Sequence, residues 1–263
     1  MNRVSLYGFC MRGGAAVFCT AGISRRQGIT MLTSLKEQVC DANRALVQQG
    51  LVTLTWGNVS GIDRERGVVA IKPSGVDYAT LTPEDIVLVD LDGRVVEGQL
   101  RPSSDTPTHL HLYRHFDRVG GITHTHSFYA TMFAQARVEI PCLGTTHADH
   151  FNGTVPVTRP LTPQEVEAGY EANTGVVIIE RFAEIPPREM PGVLVAGHAP
   201  FAWGEEAGDS VNNAVALEAV ARMALGTLQL RHDAQALEDY VLAKHYRRKH
   251  GPDAYYGQNK THK

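Results

Sequence analysis

The chain has 263 residues, 43% of them hydrophobic, with a formal charge of -3 and an isoelectric point near 6.5. That is enough apolar material for one sizeable core, and the near-neutral balance excludes the basic footprint that a nucleic-acid backbone demands. No apolar run approaches the ~20 residues that span a bilayer, and Cys10, Cys19, Cys40 and Cys142 show no CxxC spacing, which suits a reduced, cytoplasmic compartment.

Residues 1–30 carry Arg3 and a patchy apolar stretch at 15–21, but Arg12, Gly13 and Gly14 interrupt what a secretory signal needs as an unbroken apolar centre. They are expected to be a dispensable extension, with Met31 as initiator, a single domain over 31–258 and a tail at 259–263. A capping box, Ser34-x-x-Glu37, opens the first expected helix; Leu35, Val39, Ala42 and Leu46 form its apolar face and Gly50 stops it. Short β-rich segments follow at 51–59, 68–72 and 86–89, and Asp92-Gly93 is a tight turn into 94–96. A helix is expected over 106–116, a strand over 121–126 and a helix over 127–135. Further strands are expected at 176–180 and 193–196. Val211, Val215, Ala219 and Met223 then recur at helical spacing, and a last helix covers 236–249. The pattern fits one α/β domain whose central, mainly antiparallel sheet is covered by helices.

Two sets of residues carry chemistry. In His124-Thr125-His126, a strand would point both imidazoles to one face. His198, after the apolar run 193–196 and Gly197, offers a third nitrogen, and Asp105 offers an oxygen; such a set suits Zn2+. With twelve histidines in the chain, the HxH pair alone leaves a structural reading equally open, and His109, His111, His115, His147 and His150 read as surface or hydrogen-bonding residues. The second set is three small-residue loops: Gly57-Asn58 after Trp56, Ser74-Gly75 after Lys72-Pro73, and Ser103-Ser104 between Pro102 and Asp105. Their backbone N–H groups and hydroxyls, with the helix start after Asp105, would suit an anion such as phosphate. Any one of these loops also reads as an ordinary turn or N-cap; the adjacency of Ser103 and Ser104 to Asp105 singles out the third. No P-loop or GxGxxG is present.

The strings LVTLTWGNVS (51–60), IKPSGVDY (71–78), PSSDTPTH (102–109), TTHAD (145–149), HY (245–246) and YYGQ (255–258) resemble the L-ribulose-5-phosphate 4-epimerase family of the class II aldolase and adducin superfamily, in unbroken order over 31–258. The resemblance implies Asp105, His124, His126 and His198 as zinc ligands. It also implies Gly57, Asn58, Ser74, Gly75, Ser103 and Ser104 as phosphate-binding residues, and Asp149 and Tyr256 as an acid/base pair. Lys72, Thr145, Glu171 and His245 would lie nearby. The implied reaction interconverts L-ribulose 5-phosphate and D-xylulose 5-phosphate by breaking and remaking the C3–C4 bond. The implied assembly is a homotetramer with active sites between subunits and Tyr256 acting in trans.

Two positions depart from the family pattern: Ala199 stands where Gly is expected, and the Asp92-Gly93 turn looks one residue short. A class II sugar-phosphate aldolase and an L-xylulose-phosphate epimerase are the neighbouring enzyme readings, and an adducin-like interaction module is the non-catalytic one. Asp105, where the aldolases carry a longer Glu as acid/base, favours an epimerase, and the retention of every implied ligand disfavours the module. Ser127-Phe128-Tyr129 after the histidine pair excludes the HxHxDH of metallo-hydrolases.

Overall fold

The computed structural model describes residues 25–251 and 254–255, so residues 1–24 of the expected extension and Tyr256 lie outside the described residues. Helix α1 (Arg25–Gln48) starts well before Ser34, which corrects the expected helix start. No proline separates Arg25 from Ser34, and Gly28 is tolerated inside the helix, so the helix continues through the capping box, and Gln38 Nε2 donates to the Ser34 hydroxyl at 3.4 Å. Val39, Ala42 and Leu46 are buried as expected, with Leu35 partly buried. Leu51 N–H bonds back to Leu46 O at 2.9 Å where the helix ends.

Seven strands follow: β1 (Gly57–Asp63), β2 (Val68–Ile71), β3 (Val87–Asp90), β4 (Val95–Glu97), β5 (Gly121–Thr125), β6 (Gly192–Leu194) and β7 (Pro200–Gly204). They form one sheet in the order β4-β3-β2-β1-β5-β7-β6 with every pairing antiparallel, bearing out the expected fold class. Residues 51–56 are turn and loop rather than the start of a strand, and β7 was not foreseen. The expected strand at 176–180 is instead the last part of α5 (Pro163–Arg181), whose start carries a true capping box, Thr162 with Glu165. Thr162 Oγ1 accepts from Glu165 N–H at 3.2 Å, and Glu165 Oε2 accepts from Thr162 N–H at 2.8 Å. The box opens the stretch before a break at Gly169; the helix resumes after it, and the β-branched run Val176–Ile179 is helical there with Val177 and Ile178 buried.

Apart from the exposed edge strand β4, the sheet is covered on both faces, and the strand period of two sorts its residues. Val59, Val68, Ala70, Leu88 and Ala202 pack with α1 and the start of α6 (Ala207–Leu230). Val69, Val87, Val89, Ile122, Phe201 and Trp203 face the layer that holds Leu110, Leu112 and Tyr113 of α2 (Thr106–His115) and Ile178 of α5. Helices α3 (Phe128–Ala136), α4 (Thr145–Ala148) and α7 (Asp239–His250) complete the order. No helix among the described residues is long and apolar enough to cross a membrane.

Two histidines outside the expected site, His109 and His147, are core residues: His109 Nδ1 pairs with the Ser60 hydroxyl at 2.7 Å, and His147 Nε2 donates to Gly153 O at 2.8 Å. Burial lowers their pKa values from 6.5 to about 3 and about 4. The unfolded chain binds these protons below pH 6.5 and the folded chain does not. Stability from these groups is therefore complete above pH 6.5 and falls as pH drops toward 4. The expected loss between pH 7 and pH 5 is about 2 kcal/mol per group, read from urea midpoints. A midpoint independent of pH over that interval would contradict it.

Candidate active site

The site is built where β1 and β5 pair at the middle of the sheet, with Gly57 opposite Thr125 and Asn58 opposite His124. His124 and His126 come from β5 and the residue after it, and His198 from the turn between β6 and β7. Their ring centroids are 5.0, 4.9 and 5.0 Å apart, and one nitrogen from each lies within 4.8 Å of the others. His124 Nδ1–H donates to Pro200 O at 2.9 Å, and its ring stacks on Phe201 at 4.1 Å, which leaves the Nε2 lone pair free. Glu218 of α6 accepts from the N–H groups of Tyr129 and Ala130, both at 2.9 Å, and so fixes the first turn of α3 just after His126.

Burial lowers the pKa of His126 and brings that of His198 down to about 3, and the neighbouring imidazoles add to the effect. His126 and His198 are therefore neutral electron-pair donors at pH 7. Two buried polar atoms, His198 Nδ1 and Asn58 Oδ1, have no protein partner. A close triangle of imidazole nitrogens with orphaned polar atoms beside it is the donor set of a divalent transition metal, and the His124/His126/His198 triad can hold one.

Asp105, at the N-cap of α2, lies in the same cleft but outside this tight triad. Asn58 Nδ2 donates to its Oδ2 at 2.6 Å. Burial alone would raise the carboxyl, but His124, His109 and the Asn58 amide more than offset it and keep Asp105 ionised.

The three small-residue loops converge on the triad in one cleft of about 440 Å³, lined by Gly57, Asn58, Ser74, Gly75, Ser103 and Ser104 together with Asp105, His124, His126 and His198. Two loops are zipped together: Ser74 N–H donates to Arg101 O at 2.9 Å and Ser103 N–H to Lys72 O at 3.1 Å. Those two amides are spent on the scaffold. The Ser103 hydroxyl accepts from Asn58 Nδ2 at 3.1 Å and from Asp105 N–H at 3.3 Å.

Lys72 is the cation beside these loops. It is buried, its Nζ donates to Val76 O at 2.6 Å and lies 4.6 Å from the Tyr78 ring centroid, and burial lowers its pKa to about 8. Thr55 and Trp56 also line the cleft; sequence reasoning had not assigned them a role. Ala199 is buried and is not among the residues with positive φ, so its backbone does not require the expected glycine.

Three further residues singled out by the resemblance gather elsewhere. Thr145 opens α4, Asp149 caps it, and His245 lies on α7, where Asp149 accepts from His245 Nδ1 at 3.1 Å and from Arg248 at 2.9 and 2.5 Å. Burial opposes ionisation of Asp149, but Arg248 and His245 hold its carboxyl below the usual range. Asp149 does not line the cleft of its own chain. Glu171 lies on α5, its carbonyl accepting from Thr108 Oγ1 at 2.6 Å. Tyr170, which sequence reasoning missed, stands beside His198 with ring centroids 5.7 Å apart. The only signal for it was Gly169, a glycine within a helical stretch.

Residues 37–225 match the Class II Aldolase and Adducin N-terminal domain, and the chain belongs to that family. Among curated relatives, the L-ribulose-5-phosphate 4-epimerase UlaF of Salmonella paratyphi A (strain ATCC 9150 / SARB42) is 56% identical over 227 residues, 86% of this chain and 100% of that protein. The protein of the same name from Salmonella typhi matches to the same extent. Among solved structures, an L-fuculose 1-phosphate aldolase superposes with a TM-score of 0.69 at 27% identity, covering 82% of this chain and 95% of the other. The l-fuculose-1-phosphate aldolase from Thermus thermophilus gives 0.59 at 26% identity, covering 79% and 100%.

Proposed function

We propose that the chain is a zinc-dependent L-ribulose-5-phosphate 4-epimerase, interconverting L-ribulose 5-phosphate and D-xylulose 5-phosphate. The observation that carries this reading is the 56% identity over the whole length of relatives with that name. The convergence of three imidazoles and three anion-suited loops in one cleft supports it. Carbon 4 of the substrate is not adjacent to the carbonyl, so deprotonation cannot invert it. The C3–C4 bond must break, the aldehyde fragment must turn, and the bond must re-form.

In this scheme His124, His126 and His198 hold the zinc ion, with Asp105 alongside as the carboxylate donor. When bound, zinc supplies Lewis-acid stabilisation of the negative charge that develops as the bond breaks. Ser74, Gly75, Ser103 and Ser104, with Gly57 and Asn58 beneath them, grip the phosphate and keep the aldehyde fragment in place while it turns. The C4 hydroxyl gives up a proton on cleavage and regains one on closure from whichever face the aldehyde presents, so groups on two sides are needed. Asp149 and Tyr256 take these roles. Arg248 and His245 keep Asp149 ionised and ready to accept a proton.

Asp149 is described but does not line the cleft of its own chain, which supports completion of the site by a neighbouring subunit of a homotetramer. Phe128 and Met132 on α3 and Met223 on α6 leave apolar side chains exposed, as an assembly surface requires.

The zinc-loaded protein is expected to convert L-ribulose 5-phosphate to D-xylulose 5-phosphate. From dihydroxyacetone and glycolaldehyde phosphate it should slowly form both C4 epimers, because an epimerase admits attack on either face of the aldehyde. A single C4 configuration, with free glycolaldehyde phosphate accumulating from L-ribulose 5-phosphate, would replace this reading with an aldolase.

A further inference from the structure

The three imidazoles of the triad are not held alike. His124 has its Nδ1–H anchored on Pro200 O and its ring stacked on Phe201. His198 has a buried Nδ1 with no partner, and among the described residues neither ring nitrogen makes a hydrogen bond, so whichever one faces the ion, the other does not set the rotation of the ring. Ligating histidines ordinarily have the second nitrogen anchored, and that anchor orients the ring toward the ion. For His198 the orientation must come from packing, and its aromatic neighbours outside the triad are Phe201 at 6.4 Å and Tyr170 at 5.7 Å with the planes inclined by 56°.

Tyr170 reaches His198 through a break in its own helix. Gly169 has φ 151° and ψ 96° inside α5, a conformation that L side chains rarely adopt. The carbonyls at the break are satisfied by side chains: Asn173 Nδ2 donates to Glu165 O at 2.8 Å and to Gly169 O at 3.0 Å, and Thr174 Oγ1 donates to Tyr170 O at 2.9 Å. Thr108 Oγ1 donates to the next carbonyl, Glu171 O, at 2.6 Å and pins this turn to α2, the helix that begins after Asp105. Three side chains thus maintain a break that a continuous helix would not need, and its effect is to present a 37% exposed tyrosine at the metal triad.

We infer that Tyr170 is a positioning residue of the metal centre: its ring, carried to His198 by the Gly169 break, sets the rotation of the His198 imidazole against the ion. The inference rests on the reading of His198 as a metal ligand. The test measures two quantities on the full chain: the zinc dissociation constant, by competition with a chromophoric chelator, and the thermal midpoint of the metal-free protein. Tyr170→Ala is expected to weaken zinc about 10-fold, the scale of losing an orienting partner, with the metal-free midpoint unchanged. Tyr170→Phe, which keeps the ring, should bind zinc like the unmodified protein, and His198→Ala should weaken zinc further than Tyr170→Ala. Unchanged zinc affinity in Tyr170→Ala, alongside weakening in His198→Ala, overturns the inference alone. Equal losses in Tyr170→Phe and Tyr170→Ala, or a fall in the metal-free midpoint matching the loss of affinity, also overturn it. Unchanged affinity in His198→Ala overturns the ligand assignment beneath it.

Discussion

His126→Asn is expected to bind zinc at least 100-fold more weakly, since a direct ligand should cost more than the 10- to 100-fold lost with an outer-shell partner. Turnover should fall at least ~10³-fold, the scale of removing one preorganised electrostatic stabiliser. This position is a cleaner test than His124. His126 lies just past the end of β5 and is exposed, whereas His124 is buried, stacked on Phe201 and bonded to Pro200. Replacing His124 would mix loss of metal with loss of core packing. Elemental analysis of the purified variant, with its thermal midpoint, checks the expectation. A full equivalent of zinc in a stable His126→Asn protein would remove this residue from the ligand set.

Gly57→Ala is expected to destabilise the chain by ~3 kcal/mol or more and to impair the site with it. Gly57 has φ 124°, and an added Cβ would lie 2.8 Å from His124 O and 3.3 Å from Thr125 Cα. The strain of such a conformation costs about 1–3 kcal/mol, and the clash adds to it because the opposing atoms belong to the paired strand and cannot swing aside. Gly75→Ala is the control: its φ is 71° and nothing lies within 4 Å of an added Cβ, so only backbone strain of about 1–2 kcal/mol is expected. Urea unfolding of the two variants decides the matter. A loss below ~1 kcal/mol at Gly57 would mean that the β1–β5 ladder yields.

The parts of the site legible in the sequence were those with local signatures. The HxH spacing on a strand, the serines before Asp105 and the small residues after Trp56 announced themselves, and the structure gathers them in one cleft. His198 carried only the weak mark of a histidine after an apolar run and Gly197, and the resemblance strengthened it. Its place beside the other two histidines is a product of the β6–β7 turn, which no local pattern specifies.

The errors have physical causes. Val176–Ile179 has strand composition, but it lies in the helical stretch after the Gly169 break, and tertiary packing of Ile178 in the core with α2 overrides the local preference. Strand β7 begins at Pro200 and ends at Gly204, two residues that ordinarily mark loops. Its pairing with β5 and β6 is a long-range outcome. Ser34 and Glu37 are a genuine start signal in the wrong place, because nothing between Arg25 and Ser34 halts the helix. Tyr170 was invisible because its importance depends on a helix break that brings distant segments together.

The direct pairing of Asn58 with His124 also limits how such an enzyme can diverge. A strand side chain changes face with each residue, so one inserted or deleted residue in β1 or β5 would turn Asn58 or His124 to the opposite side of the sheet and part the anion loops from the metal ligands. Length changes are therefore closed to these two strands. The turns that carry Ser74-Gly75 and Ser103-Ser104 lie outside the ladder and are joined to each other through backbone groups, so their side chains can be re-lettered without that penalty. Descendants of this chain that acquire a new sugar should keep an invariant spacing within both central strands and record their history in the loops.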